Sequence, residues 1–202
     1  GTGRLAADGV LIIGEHGDYP DNAKGQKMYP RRRFFEETVK TFHATGSTAP
    51  IFNDKHLGFA WEDAKWMYDQ SRKMKFPLMA GSSVPTAWRK PDVELPLEAE
   101  IETALAIGYS GVEIYGFHTL ELLQCMVERR RGGESGVRAV TCLEGADVWK
   151  AASEGKWSRG LLDAAAATLP DVTADPAERA CPNPVAFLIE NTDGFRSVVL
   201  LL

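Results

Sequence analysis

The sequence predicts an α/β fold, with a doubly wound parallel sheet in residues 1–84 followed by an α+β region with a mostly antiparallel sheet in residues 85–202. The first observation behind this prediction is an alternation of short apolar runs with amphipathic segments, which is typical of strand–helix–strand units. The second is a change of pattern after a stretch that contains Pro85, Pro91 and Pro96. We therefore expect this stretch to link two regions.

Three strands and two helices are predicted in the first region. The run Val10–Ile13 lies between glycines and is expected to form a strand that is buried on both faces. Pro30 suits the first turn of a helix that Gly46 ends. A second helix is expected at about 60–75, with Trp61 among the apolar positions at helical spacing. The other two strands are expected at 49–52 and 77–81. The first helix carries a core stripe formed by Phe34, Phe35, Val39 and Phe42.

The second region mixes helices with strands. Apolar and acidic residues alternate from Leu95 to Ile107, which favours a half-buried strand, although the alanine and glutamate content also suits a helix. The tetrapeptide Asn191–Gly194 predicts a hairpin turn between strands at 185–189 and 195–202. The remaining expected elements are a helix at 118–130, a strand at 136–142 and one or two helices at 146–167.

Composition excludes several classes of protein. The formal net charge of −5 and the pI near 5.5 argue against a nucleic-acid partner. No apolar run approaches the roughly 18 residues that a membrane span requires, so no membrane partner is expected. Three scattered cysteines make a poor disulfide framework and favour a reducing compartment, most simply the cytoplasm. Both ends look cut, and we expect a piece of a longer protein.

Polar and ionisable residues follow the predicted strands, where open α/β sheets bind their ligands. In the second region His118 and Glu121 are three residues apart at a predicted helix start, so they share one face. The basic runs Arg31–Arg33 and Arg129–Arg131 are interpreted as solvated helix ends. The candidate residues after the three strands are Gly14, Glu15, His16, Asp18, Asp54, Lys55, His56 and Arg89.

Three short motifs, in this order along the chain, resemble those of one family. Asp8–Ile13 is similar to an Asp-x-Val-x-Ile strand, Asp54–His56 falls where a Glu-Lys-Pro motif lies, and Gly116–Glu121 is similar to Gly-x-His-x-x-Asp. The chain thus resembles the glucose–fructose oxidoreductase and inositol dehydrogenase family. That resemblance implies an oxidoreductase that acts on a sugar, polyol or related hydroxyl compound as its small-molecule substrate.

The resemblance also implies a domain organisation. Residues 1–84 would be the C-terminal part of a Rossmann-like domain that binds NAD or NADP in the full-length protein, and residues 85–202 an incomplete substrate and dimerisation domain. The sheet of this second domain would then form a homo-oligomer. The glycine-rich phosphate loop of Rossmann domains is not found in this chain, so we expect the chain alone to be inactive.

Residue roles follow from the same resemblance. Lys55 would bond the substrate hydroxyl, His118 would act as general acid and base, and Glu121 would orient the imidazole or bind a substrate hydroxyl. A histidine titrates in the range that such a reaction needs, and a lysine stabilises developing oxyanion charge. The residues expected at the cofactor are Gly14, Glu15, His16 and Asp54, and those expected at the substrate are Arg89 and Tyr115.

Two other functions remain open from the sequence. The strand-end His, Asp and Glu residues would also suit a divalent metal, as in a metal-dependent isomerase or hydrolase. Alternatively, the chain is a non-catalytic Rossmann-like protein that binds a sugar or a protein partner.

Overall fold

The computed structural model describes residues 3–14, 17–109, 111–169 and 177–202. The chain divides into two compact units, Gly1–Ser83 and Val84–Leu202. None of the described helices has the length and apolar composition needed to cross a membrane. The strands are β1 (Val10–Ile12), β2 (Ile51–Asp54), β3 (Leu78–Gly81), β4 (Thr103–Gly108), β5 (Val137–Glu144), β6 (Val185–Asn191) and β7 (Arg196–Leu201). The helices are α1 (Arg31–Thr45), α2 (Trp61–Met74), α3 (Phe117–Val127), α4 (Ala146–Ser153), α5 (Arg159–Ala166) and α6 (Ala177–Ala180).

The first unit is a three-stranded parallel sheet in the order β1-β2-β3, which confirms the predicted class. Its core combines strand and helix residues that are at most 6% exposed. The helix contribution comes from the apolar stripe of α1, which recurs every three or four residues. Gly46 ends α1 with φ of 65°, a left-handed conformation that glycine adopts without strain. The most deeply buried of these core residues are Phe35, Val39, Phe42, Ile51 and Met67.

One face of this sheet is more exposed than the sequence indicated. The prediction that β1 is buried on both faces is wrong: Leu11 is 70% exposed and Met79, on the same face, is 68% exposed. Side chains alternate across a strand, and the residues that join the core belong to the opposite face. The prediction for Trp61 is also wrong, since it is 73% exposed while Trp66 packs against the core.

The second unit contains a mixed sheet in the order β4-β7-β6-β5. The pair β4 and β7 is parallel, and the other two pairs are antiparallel, so the expected mostly antiparallel sheet is confirmed. Two apolar clusters cover its two faces. One includes Leu123 and Val127 of α3, and the other includes Val148 of α4 and Leu162 of α5.

The predicted strand from Leu95 onward begins only at Thr103. The partner strand β7 starts at Arg196, which lies opposite Thr103, and the chain before Arg196 turns back toward β6. Residues before Thr103 therefore have no β7 residue to pair with. They contribute one isolated bridge, between Ala99 and Arg130.

Candidate functional site

The chain turns sharply at the carboxyl end of β2. Asn53 is fully buried, and its side-chain amide donates to the carbonyl oxygens of Asp54 (3.3 Å) and His56 (3.1 Å). Lys55 has φ of 65°, a left-handed conformation that costs a non-glycine residue on the order of 1 kcal/mol. Its main-chain N–H donates to Gly81 O on β3 at 2.8 Å. These bonds maintain a strained backbone at the strand end, and such strain clusters at functional sites.

The side chains of this turn form a shielded ion pair. Lys55 Nζ lies 2.9 Å from Asp54 Oδ2, and the two side chains are only 19% and 15% exposed. A charge-assisted hydrogen bond of this kind is shorter and stronger than one between neutral groups. The pair therefore fixes an ammonium group at the edge of the sheet where open α/β sheets bind ligands.

A buried arginine reaches the same turn from α1. Arg31 is 3% exposed, its Nη1 lies 3.0 Å from His56 Nε2, and its guanidinium stacks 4.5 Å from the centre of the Tyr29 ring. Because arginine only donates, His56 Nε2 accepts and the imidazole proton of the neutral tautomer is assigned to Nδ1. The prediction that Arg31 is a solvated helix end is wrong, since this bond and the stacking draw it inward.

Gly14 at the end of β1 lies directly against the Phe34 ring of α1. A Cβ at this position would lie 2.4 Å from Phe34 Cε2 of α1, closer than real side-chain contacts. The glycine thus leaves room for the Phe34 ring beside the strand end. Glu15 and His16, which the sequence assigned to the cofactor, lie outside the described residues.

In the second unit, His118 lies in the first turn of α3 among aromatic rings. A π-helical turn from Val112 to Gly116 leads into α3, and such turns are frequent at functional sites. The His118 ring centre lies 6.4 Å from that of Tyr115 and 6.1 Å from that of Phe117. The predicted substrate residue Tyr115 and the predicted acid–base residue His118 are therefore neighbours.

A close contact between β4 and α3 fixes this start of the helix. A Cβ on Gly108 would lie 2.0 Å from Thr119 Oγ1, so only glycine fits there, and the buried Thr119 hydroxyl donates to Tyr115 O at 2.8 Å. The next residue, Tyr109, stacks on Tyr115 with ring centres 4.4 Å apart. Its hydroxyl hydrogen bond to Tyr115 raises the pKa of Tyr109. The contact thus positions Tyr115 beside His118.

The remaining face of α3 borders a largely apolar groove of about 1420 Å³ between α3, β4 and α5. Leu122 and Met126 line this groove together with Tyr109, whereas His118 and Glu121 do not. Helix α3 thus has an apolar face toward the groove, whereas His118 and Glu121 lie outside the groove lining. Glu121 is partly buried one turn after His118, as the spacing predicted.

Arg89 contacts residues of its own unit. Its guanidinium pairs with Glu94 and lies 3.9 Å from Cys125 Sγ of α3. Glu94 also pairs with Arg129 at 2.8 Å. These contacts connect the proline-rich stretch to α3, and the role of Arg89 at a substrate stays a prediction.

The described ranges contain no group of three or more His, Cys, Asp or Glu side chains that could hold a metal ion. Within the first unit the structure brings Asp54 and Lys55 together, and within the second Tyr115 and His118. Sequence reasoning missed Arg31 as a neighbour of His56. A signal was present, because a helix that follows a parallel strand begins at the carboxyl edge of the sheet.

Comparisons with known proteins gave structural similarity alone. No family model matches the chain, and no curated protein is similar to it. Among solved structures, it is similar to UDP-N-acetylglucosamine 3-dehydrogenase from Acidithiobacillus ferrooxidans (9% identity, TM-score 0.46, 96% of this chain and 50% of that one). It is also similar to an NAD-binding oxidoreductase from Klebsiella pneumoniae (12%, 0.46, 96% and 47%) and to scyllo-inositol dehydrogenase from Lactobacillus casei (10%, 0.45, 96% and 49%).

The chain spans about half the length of these solved structures. By name, two of them are dehydrogenases and one is an NAD-binding oxidoreductase.

Proposed function

We propose that this chain is part of an NAD(P)-dependent oxidoreductase that oxidises or reduces a hydroxyl-bearing carbon of a sugar or polyol. The observation that carries the proposal is the Asp54–Lys55 ion pair, which lies on a strained turn at the carboxyl edge of a parallel sheet. Supporting it are the sequence motifs that contain Lys55 and His118.

Lys55 would bind the oxygen of the reacting carbon. Its ammonium donates hydrogen bonds and stabilises the negative charge that develops on that oxygen when the proton leaves. The Asp54 carboxylate, 2.9 Å from Lys55 Nζ, orients the ammonium group. With little water around the pair, this electrostatic effect is stronger than it would be at an exposed lysine.

His118 would take the hydroxyl proton during oxidation and return it during reduction. An imidazole suits this task because its ordinary pKa lies near neutral pH. The Tyr115 ring limits the positions that the imidazole can adopt. Glu121, one turn along α3, would orient the ring or bind a second hydroxyl of the substrate.

The nicotinamide cofactor, when bound, accepts or supplies the hydride. The cofactor would lie at the carboxyl ends of β1 and β2, which pair side by side as parallel strands. Open α/β sheets bind dinucleotides at that edge. Gly14, Glu15, His16 and Asp54 would hold it there.

The first experiment measures cofactor binding and turnover in the full-length protein. Tryptophan fluorescence follows NADH and NADPH titrations, and absorbance at 340 nm follows NADH formation with myo-inositol and a panel of sugars. We expect saturable binding of one cofactor and turnover that Lys55→Met lowers by about 100-fold or more. The absence of both binding and turnover would overturn the proposal.

Lys75→Met is the matched control for Lys55→Met. Lys75 is also a lysine with a left-handed conformation, φ of 58°, but it is exposed at the end of α2. His118→Asn is paired in the same way with His43→Asn, because His43 is exposed on α1. Equal losses in a variant and its control would reject the assigned role.

A further inference from the structure

In the second unit, the strand β4 lies at one end of the sheet and has a single neighbour, β7. Helix α3 packs on one face of β4, where Leu123 belongs to one apolar cluster with Ala106. Helix α5 packs on the other face, where Leu162 belongs to one cluster with Leu105 and Ile107. The strand is therefore covered on both faces but has no partner strand along its outer side.

The apolar groove of about 1420 Å³ opens along this outer side of β4. Every residue from Ala104 to Tyr109 borders it. A groove over one face of a strand would touch alternate residues only, because successive side chains point to opposite faces. Contact with the whole run, and with both α3 and α5, places the groove in the plane of the sheet between the two helices. This is the position that the next strand of the sheet would occupy.

The main chain of β4 offers unpaired hydrogen-bonding groups to the groove. Leu202 N donates to Gly108 O at 3.1 Å, so the main-chain groups of Gly108 face β7. Because successive residues of a strand alternate in direction, the N–H and C=O groups of Leu105 and Ile107 point into the groove. They have no main-chain partner in the part of the chain that the structure describes. Both residues are partly buried, and unpaired main-chain groups in apolar surroundings are unfavourable.

The lining of the groove carries one uncompensated positive charge. Its charged side chains are Lys90, Arg159 and Asp163. Arg159 is paired with both Asp163 and Glu178. Lys90 is exposed and forms no ion pair with a described carboxylate. A carboxylate on the occupant would therefore complement the groove.

We propose that the groove binds an extended segment of a partner protein, which adds to the sheet as a new strand beside β4. The segment has apolar side chains on both faces, because α3 and α5 lie on either side of it, and an acidic residue near Lys90. In strand addition, main-chain hydrogen bonds supply affinity and the flanking side chains supply specificity. The volume of the groove also exceeds the roughly 300–1,000 Å³ of ordinary small-molecule pockets.

The first test adds the synthetic peptide acetyl-Asp-Val-Ile-Val-Ile-Val-Asp-amide to the full chain and follows amide hydrogen exchange by nuclear magnetic resonance. We expect saturable binding that slows exchange of the Leu105 and Ile107 amides by about tenfold or more. The control peptide carries N-methyl groups on all its apolar residues, so it keeps the side chains but cannot donate main-chain hydrogen bonds. It should not bind. Equal binding of the two peptides, or unchanged exchange of both amides, would overturn the proposal.

Variants of the groove lining test its position. Ala166→Arg should abolish peptide binding, because it places a long charged side chain in the groove. Ala164→Arg is the matched control, since Ala164 is exposed on the same helix and does not border the groove. Lys90→Glu should weaken binding about threefold, and a peptide with Lys in place of Asp should regain that loss. Equal affinities of the two arginine variants would reject the groove as the site, and the exchange test on the unmodified chain stands even if Ala166→Arg fails to fold.

Sedimentation velocity of the chain alone distinguishes a second copy as the occupant. We expect the same sedimentation coefficient for the unmodified chain and for Ala166→Arg. A dimer that the peptide and Ala166→Arg both dissociate would overturn the proposal in favour of a second copy of this chain. These tests need neither cofactor nor turnover, so their outcome does not depend on the function proposed for Lys55 and His118.

Discussion

Gly108→Ala tests the contact that fixes the start of α3. The new Cβ would lie 2.0 Å from Thr119 Oγ1 and 2.8 Å from Leu201 Cδ2. An ordinary contact begins at 3.4 Å, so the strand and the helix must separate by about 1.4 Å. Overpacking of this kind, with the loss of the Thr119–Tyr115 hydrogen bond, should lower the free energy of unfolding by about 3 kcal/mol.

Urea unfolding measures this loss as a lower midpoint at unchanged slope. Gly111→Ala is the control, because Gly111 has φ of −67° and no atom within 4 Å of an added Cβ. It should raise the free energy of unfolding by about 0.5 kcal/mol, because alanine lowers the conformational entropy of the unfolded chain. Adding Thr119→Ala to the Gly108→Ala variant should recover part of the lost free energy of unfolding, because it removes the clashing hydroxyl. Equal midpoints for the Gly108 and Gly111 variants would refute the reasoning.

Two further predictions concern stability. Phe35→Ala should cost about 4 kcal/mol because its ring is fully buried in the first core, whereas Trp61→Ala, at an exposed position, should change the free energy of unfolding by less than about 0.5 kcal/mol. Urea midpoints of the two variants decide this. The Phe195 N–H and then the Arg130 guanidinium lower the pKa of Asp193. Its carboxylate therefore stabilises the fold above the ordinary pKa, and this contribution disappears as pH falls through the lowered one. Asp193→Asn should therefore make Tm depend less on pH in the acid range. An unchanged pH dependence of Tm would contradict this prediction.

The fold was predictable wherever local pattern decides structure. Helix α1 follows from the spacing of Phe35, Val39 and Phe42, and Gly46 ends it as expected. The β6–β7 hairpin follows from the turn at Asn191–Gly194. In such segments, periodicity and turn chemistry both specify the same structure.

The features that were predicted wrongly depend on contacts between residues that are distant in sequence. Leu11 is exposed because of where helices pack on the sheet, which a run of apolar residues does not encode. The start of β4 at Thr103 is determined by Arg196, which is 93 residues further along. Arg31 is buried because it meets His56, 25 residues away. From the sequence alone such an arginine is predicted to be solvated, because most arginines in folded proteins are exposed.

The same distinction separates the candidate site residues. Asp54 and Lys55 are adjacent, so their ion pair is accessible to sequence reasoning, but the left-handed backbone of Lys55 is not. That conformation costs free energy, and the Asn53 side chain and the bond to β3 sustain it. Glycine would form this turn without the backbone cost, so the turn itself does not require a lysine at position 55. The strain therefore adds to the Asp54–Lys55 ion pair as a reason to test Lys55 first.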